Sequence, residues 1–344
     1  MILNRILTKW LTTITLGLLC ASACSSQSSS WHDPSNHRVR FVTVENGVRL
    51  EVLDWGGSGR NVILLAGSGN TAHVYDDFAP KLVGFCHVYG ITRRGFGVSS
   101  HPKTGYSEQR LADDVVQVID SLKIASPVLI GHSMAGGEIT LVARQHPDRL
   151  LGLVYLEAVR DPTRDYSQIS KELQAAHLHP VTPSEPKDKS FAAFREWQLQ
   201  RDGFAFPESE LRNSYLTNPD GTMGKFGTSD AVFDALGDSA QKRNYSSVHV
   251  PILAIVSLPE SSAQIISRNY QFNETDQRAP VEDAYTKVVD YIRVDEKSVQ
   301  NARAPVRIVE LPGSDHYVYL ATPDAVLREV QAFLKGLPSS ANTK

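Results

Sequence analysis

Six short apolar runs recur along the chain and constrain its fold more than any other feature of the sequence. They are rich in valine, isoleucine and leucine, and most contain few polar residues. Strands covered on both faces have this composition, whereas half-exposed strands alternate apolar and polar residues. The runs therefore predict a parallel sheet buried between layers of helices. They occupy residues 61–65, 87–91, 127–130, 151–156, 251–256 and 306–311.

Helical patterns separate these runs, and a hairpin precedes them. Residues 38–44 and 48–53 alternate apolar and polar positions around a turn at residues 45–47, which is typical of a β-hairpin. Strands alternating with helices imply right-handed βαβ units and a doubly wound sheet. Apolar residues at helical spacing, or a favourable first-turn proline, mark residues 107–122, 134–146, 281–294 and 323–334.

Residues 160–248 interrupt the alternation. They show no strong strand, several amphipathic stretches and many prolines and glycines. Long irregular loops are uncommon in compact domains, so we predict a mainly helical lid inserted between two halves of a core, residues 37–159 and 249–338. Six aromatic residues of this segment either line an apolar pocket or form the core of the lid. They are Phe194, Trp197, Phe204, Phe206, Tyr215 and Phe226.

The first residues predict export. Positive residues, a short apolar stretch and an A-x-A site make residues 1–23 a signal peptide, and the apolar stretch is short for a membrane span. Cys24 follows, and residues 24–36 begin as a serine-rich flexible tether. This arrangement resembles a bacterial lipoprotein, although Ala21 stands where leucine is usual. Two outcomes stay open, a lipid anchor on Cys24 or simple cleavage and secretion.

Charge and cysteine content narrow the function. The 344-residue chain has a formal net charge of −3 and no dense basic run, so we expect no nucleic-acid partner. Its three cysteines include one in the signal and one at the cleavage site. Only Cys86 would remain as a thiol if Cys24 carries lipid. We therefore expect no internal disulfide and a buried, structural Cys86.

Ser133 lies at the turn between a predicted strand and a predicted helix. Gly131 precedes it by two positions, as in a G-x-S-x-G nucleophile elbow, while Ala135 replaces the second glycine and Gly136 follows. Such a turn raises the serine oxygen above the sheet and directs the helix N-terminus at a developing oxyanion. This context predicts that Ser133 is a nucleophile. His132 beside it is interpreted as a packing residue.

A nucleophilic serine needs an imidazole and an acid. His316 follows the last apolar run, where the chain order serine, acid, histidine places the base. Two glutamates compete for the acid. Glu157 closes an apolar strand and needs a partner there, whereas Glu260 follows the run at residues 251–256 and could equally lie in an exposed turn. We favour Glu157 slightly and keep Glu260 as the alternative. Asp315 adjoins His316, and its side chain should diverge.

The oxyanion site needs two backbone amides. The amide of Met134 directly follows the nucleophile, and Ser68 lies in the glycine-rich loop after the run at residues 61–65. This loop lacks the spacing of a dinucleotide or phosphate loop, so nucleotide binding is rejected.

Together these motifs resemble the α/β-hydrolase superfamily, particularly its exported bacterial members. The matching segments are LLAGSGN at residues 64–70, GITRRGFG at residues 90–97, the elbow, VYLEA at residues 154–158 and the His316 loop. Relatives more often have His-Gly where this chain has Ala66 and Gly67. The resemblance implies an eight-stranded sheet, a lid after the sixth strand and no cofactor.

We expect acyl transfer to water through an acyl-enzyme, with an ester or amide of a small molecule as substrate. A serine at the elbow argues against a haloalkane dehalogenase, which carries a carboxylate nucleophile there. The alternative is a non-catalytic ligand-binding protein that keeps the pocket on the same fold.

Overall fold

The computed structural model describes residues 31–45, 47–175, 179–180, 185–265, 270–271 and 275–338. The predicted signal peptide, Cys24 and Asn46 of the predicted hairpin turn lie outside these residues. The elements below belong to one compact unit, Asp33–Lys344.

An eight-stranded sheet forms the centre of this unit, in the order β1-β2-β4-β3-β5-β6-β10-β12. The first two strands form the predicted antiparallel hairpin, and β2 pairs antiparallel with β4. Every other neighbouring pair in the sheet is parallel. This confirms the mostly parallel sheet that the sequence predicts. The strands of this sheet are β1 Arg38–Glu45, β2 Val48–Gly56, β3 Arg60–Leu65, β4 Cys86–Ile91, β5 Val128–His132, β6 Gly152–Leu156, β10 Ile252–Leu258 and β12 Val306–Pro312. The described strands outside it are the pair β7 His179–Pro180 and β11 Tyr270–Gln271, and the pair β8 Tyr215–Thr217 and β9 Met223–Phe226.

Helices follow most of the parallel strands, as the periodicity predicts. Ser107 caps the first of them by accepting a hydrogen bond from the amide of Arg110. No helix in the described ranges is both long and apolar enough to cross a membrane. The helices are α1 Glu108–Leu122, α2 Ala135–Gln145, α3 Ser167–Ala175, α4 Phe191–Asp202, α5 Glu208–Ser214, α6 Asp230–Ser239, α7 Ser262–Ile265, α8 Thr275–Val299, α9 Val318–Ala321 and α10 Pro323–Gly336.

Apolar residues fill both faces of the sheet. In β3 the side chains of Ile63 and Leu65 join one buried cluster with residues of α1, α2 and α8. Val62 and Leu64 join a second cluster with residues of α10 and of the turns after β3. Because successive strand residues point to opposite faces, this alternation explains why the runs contain few polar positions. Cys86 is fully buried, and burial raises the pKa of its thiol to about 12.

The segment at residues 160–248 contains four helices in its described part, α3 to α6. It also contains a short antiparallel hairpin, β8–β9. The sequence pattern does not reveal this hairpin because its glycines are typical of loops. The six aromatic residues largely contact one another. Phe194 packs on Trp197 and Tyr215, and Tyr215 packs on Phe226. Phe206, Tyr215 and Phe226 also line a cavity of about 190 Å³ that includes Ser68, so these aromatics supply both a core and part of a pocket.

Candidate active site

Ser133 lies on a strained turn between β5 and α2. Its backbone φ is +53°, which non-glycine residues rarely adopt. The glycines allow the turn to close, since a Cβ on Gly136 would lie 2.0 Å from the carbonyl oxygen of Ala158. Ala135 is fully buried at the start of α2, so the departure from the G-x-S-x-G pattern is accommodated. The strain and tight packing hold the hydroxyl at the carboxyl end of the sheet.

A hydrogen-bonded row connects Ser133, His316 and Glu157. His316 Nε2 lies 3.0 Å from Ser133 Oγ, and His316 Nδ1 lies 3.2 Å from Glu157 Oε2. The other carboxylate oxygen of Glu157 accepts a 2.5 Å hydrogen bond from the amide of Ser257. The Glu157 side chain is fully buried, whereas His316 is 43% exposed. The geometry suits proton transfer from the hydroxyl to an imidazole that a buried carboxylate orients.

The sheet topology places Glu157 rather than Glu260 beside His316. Glu157 follows β6 with φ +50°, and its amide donates to the carbonyl of Ile255 on the neighbouring β10. This turn directs its carboxylate across the strand ends to His316. Glu260 is exposed, and its carboxylate lies against Gly313. Asp315 accepts a hydrogen bond from the amide of Tyr317, so it diverges from the row as predicted.

His132 packs beneath His316. It is buried, and His132 Nε2 donates a 3.0 Å hydrogen bond to the backbone carbonyl of His316. Burial, and the nearby His316, hold the pKa of His132 well below its ordinary value, so the ring is neutral. The sequence interpretation of a packing residue therefore omitted a specific contact. His132 positions the loop that carries His316.

The predicted oxyanion amides belong to two segments next to Ser133. Met134 lies at the N-terminus of α2, where first-turn amides have no partner within the helix. Ser68 is exposed in the loop after β3. Gly67 of this loop passes close to the elbow, since a Cβ there would lie 2.8 Å from His132 Nδ1 and 3.2 Å from Ser133 Cβ. The loop and the elbow are thus in direct contact.

Arg93 connects this loop to α2, a role that sequence reasoning missed. Its Nε donates a 2.5 Å hydrogen bond to Glu138, and its terminal nitrogens donate to the carbonyls of Ala66 and Gly67. Both charged groups are buried. Burial raises the pKa of Glu138, and Arg93 opposes that rise. The segment GITRRGFG gave a signal, since two adjacent arginines just after an apolar strand require partners.

A cavity of about 370 Å³ opens beside Ser133 and His316. The six aromatic residues noted in the sequence do not line it. Leu111, Met134 and Leu236 supply its apolar walls. Arg160, whose Nη2 lies 3.0 Å from Glu157 Oε2, belongs to the charged lining. The other acidic and basic residues of the lining, besides His316, are Glu108, Glu157, Asp161 and Arg243.

In the part of the chain that the structure describes, a group of four side chains away from Ser133 has the spacing of metal ligands. Asp33, His37, His73 and Asp76 hold their ligand atoms within 4.8 Å of one another. None of these residues lines the cavity at Ser133.

Comparison with known proteins shows the family and the fold of this chain. The sequence model described as "Alpha/beta hydrolase family" matches residues 62–329. Among solved structures, E-2-(acetamidomethylene)succinate hydrolase superposes with a TM-score of 0.61 at 19% identity, covering 87% of this chain and 100% of that one. At that identity the likeness shows the fold.

Curated relatives match shorter stretches. A non-heme chloroperoxidase of Streptomyces lividans is 35% identical over 124 residues, which is 34% of this chain and 44% of the relative. The 2-(acetamidomethylene)succinate hydrolase of Mesorhizobium japonicum is 27% identical over 101 residues, 29% of this chain and 36% of the relative. The matched stretches thus span less than half of the length of these relatives.

Proposed function

The chain belongs to the α/β-hydrolase family, and from that premise we propose that it is a serine hydrolase cleaving an ester or amide of a small molecule. The observation that carries the proposal is the hydrogen-bonded row of Ser133, His316 and Glu157 at a strained elbow. The named relatives include hydrolases, and the substrates in their names do not define the substrate of this chain.

In the proposed reaction Ser133 Oγ attacks the substrate carbonyl carbon while His316 Nε2 takes the hydroxyl proton. The tetrahedral oxyanion receives hydrogen bonds from the amides of Met134 and Ser68. Collapse breaks the bond to the leaving alcohol or amine, which takes the proton from His316 and leaves an acyl-enzyme. Water then attacks the ester, giving its proton to His316, and Ser133 Oγ departs with that proton. Glu157 orients the imidazole and stabilises its charged form.

A fluorophosphonate probe tests the proposal against the non-catalytic alternative. The proposed hydrolase labels at Ser133 in the folded protein and turns over activated esters. A ligand-binding protein on the same fold binds small molecules without labelling. Absence of the label on folded protein therefore overturns the hydrolase and favours the binding protein. Turnover of esters with graded acyl length then defines the substrate.

We propose further that the chain is exported, with a lipid at Cys24 or as a secreted protein. The support is the pattern of residues 1–23 and the cysteine after the A-x-A site. The mass of the mature N-terminus tests this. A modified Cys24 at the N-terminus supports the anchor, an unmodified mature N-terminus supports secretion, and retention of residues 1–23 overturns export.

A further inference from the structure

Two histidines and two aspartates meet far from Ser133 in the sequence. Asp33 and His37 precede β1, whereas His73 and Asp76 lie in and after a short 3₁₀ turn, Ala72–Tyr75, that follows the loop containing Ser68. His73 Nδ1 lies 3.0 Å from Asp76 and 3.6 Å from Asp33. His37 Nδ1 lies 2.9 Å from Asp76, and its Nε2 lies 3.8 Å from Asp33. We call these four residues the histidine–aspartate cluster.

We propose that the histidine–aspartate cluster binds a structural Zn²⁺ ion. A tetrahedral zinc with bonds of about 2.0–2.1 Å holds its ligand atoms about 3.3 Å apart. One ligand atom from each of the four residues lies within 4.8 Å of the others. His73 Nδ1 lies 3.0 and 3.6 Å from oxygens of Asp76 and Asp33, which is close to that value. Two imidazoles and two carboxylates form a closed set of four nitrogen and oxygen donors, which suits zinc rather than calcium or magnesium.

The neighbours of the cluster have the arrangement that supports metal ligands. Glu51 lies 3.4 Å from His73 Nε2, so a carboxylate receives the ring N–H opposite the nitrogen that faces the aspartates. Trp55 Nε1 and Ser209 Oγ donate to the two oxygens of Asp76, at 3.1 and 2.6 Å. Such outer partners fix the ring orientation and hold the carboxylate of a metal site.

Burial and charge favour a cation at the cluster. The side chains of His37, His73 and Asp76 are only 2–4% exposed, while Asp33 is 25% exposed and leaves a path for entry. With Glu51 the site gathers three carboxylates. Within the described ranges no lysine or arginine forms a salt bridge with them. Buried carboxylates require a cationic partner or a metal, and Zn²⁺ supplies two charges at one point.

Metal titration with matched variants tests the site. Protein without a polyhistidine tag is stripped with a chelator and titrated with Zn²⁺ by calorimetry, and Co²⁺ is added to record its visible absorption. We expect one equivalent of zinc, a tetrahedral cobalt spectrum and a higher unfolding temperature with zinc. Asp33→Asn, at the most exposed ligand, should bind at least about 10-fold more weakly. His73→Gln should lose the cobalt spectrum.

His87→Gln is the control, because His87 also contacts an aspartate, with Nε2 2.8 Å from Asp54, outside the cluster. It should bind zinc as the wild type does. Folded wild-type protein that binds no zinc, or equal zinc affinity in the wild type and Asp33→Asn, overturns the proposal. In that case the two imidazoles themselves neutralise the carboxylates. Asp33→Asn keeps the test decisive if His73→Gln fails to fold.

A second observation, in the cavity beside Ser133, concerns the substrate. Arg243 contributes to the cavity lining, and its Nη2 approaches the carbonyl of Ser133 at 3.4 Å. Its Nε and Nη1 atoms are buried without a hydrogen-bond acceptor among the described residues, and so is Nε of Arg160. Buried donors without acceptors are costly, so a movement of these guanidinium groups toward an anionic group of a ligand in the cavity would satisfy them.

Resting on the proposed function, we infer that Arg160 and Arg243 bind a carboxylate carried by the substrate. The test compares para-nitrophenyl hemisuccinate with para-nitrophenyl isocaproate, which replaces the carboxylate by an isopropyl group and keeps the leaving group. We expect the wild type to prefer the hemisuccinate in kcat/KM. Arg243→Met should lower this preference about 10–100-fold, the value of a charged hydrogen bond.

Arg144→Met is the matched control, since Arg144 is exposed on α2 and contacts Ser247. It should keep the wild-type preference. An equal or greater kcat/KM for the isocaproate ester in the wild type overturns the carboxylate subsite and leaves the serine hydrolase standing. Failure of Ser133 to label with fluorophosphonate overturns both.

Discussion

Two groups of histidines and carboxylates in this protein have opposite surroundings. In the row at Ser133 the imidazole of His316 is 43% exposed. One of its nitrogens contacts a carboxylate, and the other lies within hydrogen-bond distance of the Ser133 hydroxyl. In the histidine–aspartate cluster both imidazoles are almost fully buried. Among the described residues, the charged groups that contact them are all carboxylates. The first arrangement allows a proton to enter and leave. The second encloses a position for a cation.

The difference teaches that residue types alone do not define chemistry. His316 and His73 each contact a buried carboxylate, at 3.2 and 3.0 Å. What separates them is the partner of the second ring nitrogen, which is the Ser133 hydroxyl for His316 and the carboxylate of Glu51 for His73. The predictions below therefore ask whether changes at one group leave the other intact.

Ser133→Ala should have the largest effect. Without the nucleophilic oxygen, kcat for an activated ester should fall at least about 10⁴-fold, because the remaining groups stabilise only the oxyanion. Zinc affinity should stay at the wild-type value, because the cluster does not contact Ser133. Ester turnover and calorimetry measure the two quantities. Retained turnover would assign the reaction to another residue.

Glu157→Gln should lower kcat about 10³–10⁴-fold, because an amide neither stabilises the imidazolium nor selects the reactive tautomer. The same change at Glu260 should leave kcat within about 3-fold, because its exposed side chain is not hydrogen-bonded to His316. Parallel kinetics on the two variants measure the contrast. The reverse ranking would transfer the role of the acid to Glu260.

The contrast between the two glutamates shows how far sequence reasoning reaches. The six apolar runs predict the central strands because burial on both faces leaves a local signature. Ser133 and His316 are predictable because each follows a strand in a characteristic order. The choice of Glu157 needs the neighbouring β6 and β10, which place it across from Ser257 and His316. Strand order is a long-range property that no single segment encodes.

Other features depend on contacts between distant segments. Arg93 pairs with Glu138, which lies 45 positions later in the sequence. The sequence around either residue does not indicate which partner neutralises its charge. The histidine–aspartate cluster joins residues 33–37 to residues 73–76, and the sequence interpretation assigned residues 24–36 to a tether. A polar residue in a polar segment leaves no signature of burial. Only the packed structure reveals these two sites.

Arg93→Met should have the next largest effect, now on stability. It leaves Glu138 buried without its cation and removes the donors to Ala66 and Gly67, so the free energy of unfolding should fall by about 3–5 kcal/mol. Adding Glu138→Gln should restore part of this loss. Urea denaturation with and without zinc measures both variants. A loss below about 1 kcal/mol would show that the pair does not brace the loop.

Glu108→Gln should have the smallest effect, and only at high pH. Burial, which Glu138 reinforces and Arg243 opposes, raises the pKa of Glu108 to about 7. The folded state therefore holds this proton more tightly than the unfolded state, and the stability contributed by Glu108 falls as pH rises from about 4.5 to about 7. Glu108→Gln should therefore stabilise the protein by about 1–3 kcal/mol at pH 8–9 and little at pH 4.5.

Thermal or urea unfolding of wild type and Glu108→Gln across this pH range measures the difference. Glu185→Gln is the control, because Glu185 is an exposed carboxylate paired with Lys189. Its difference from the wild type should stay small across this range, since the ion pair is exposed. A pH-independent difference at Glu108 would contradict the raised pKa of its carboxyl group.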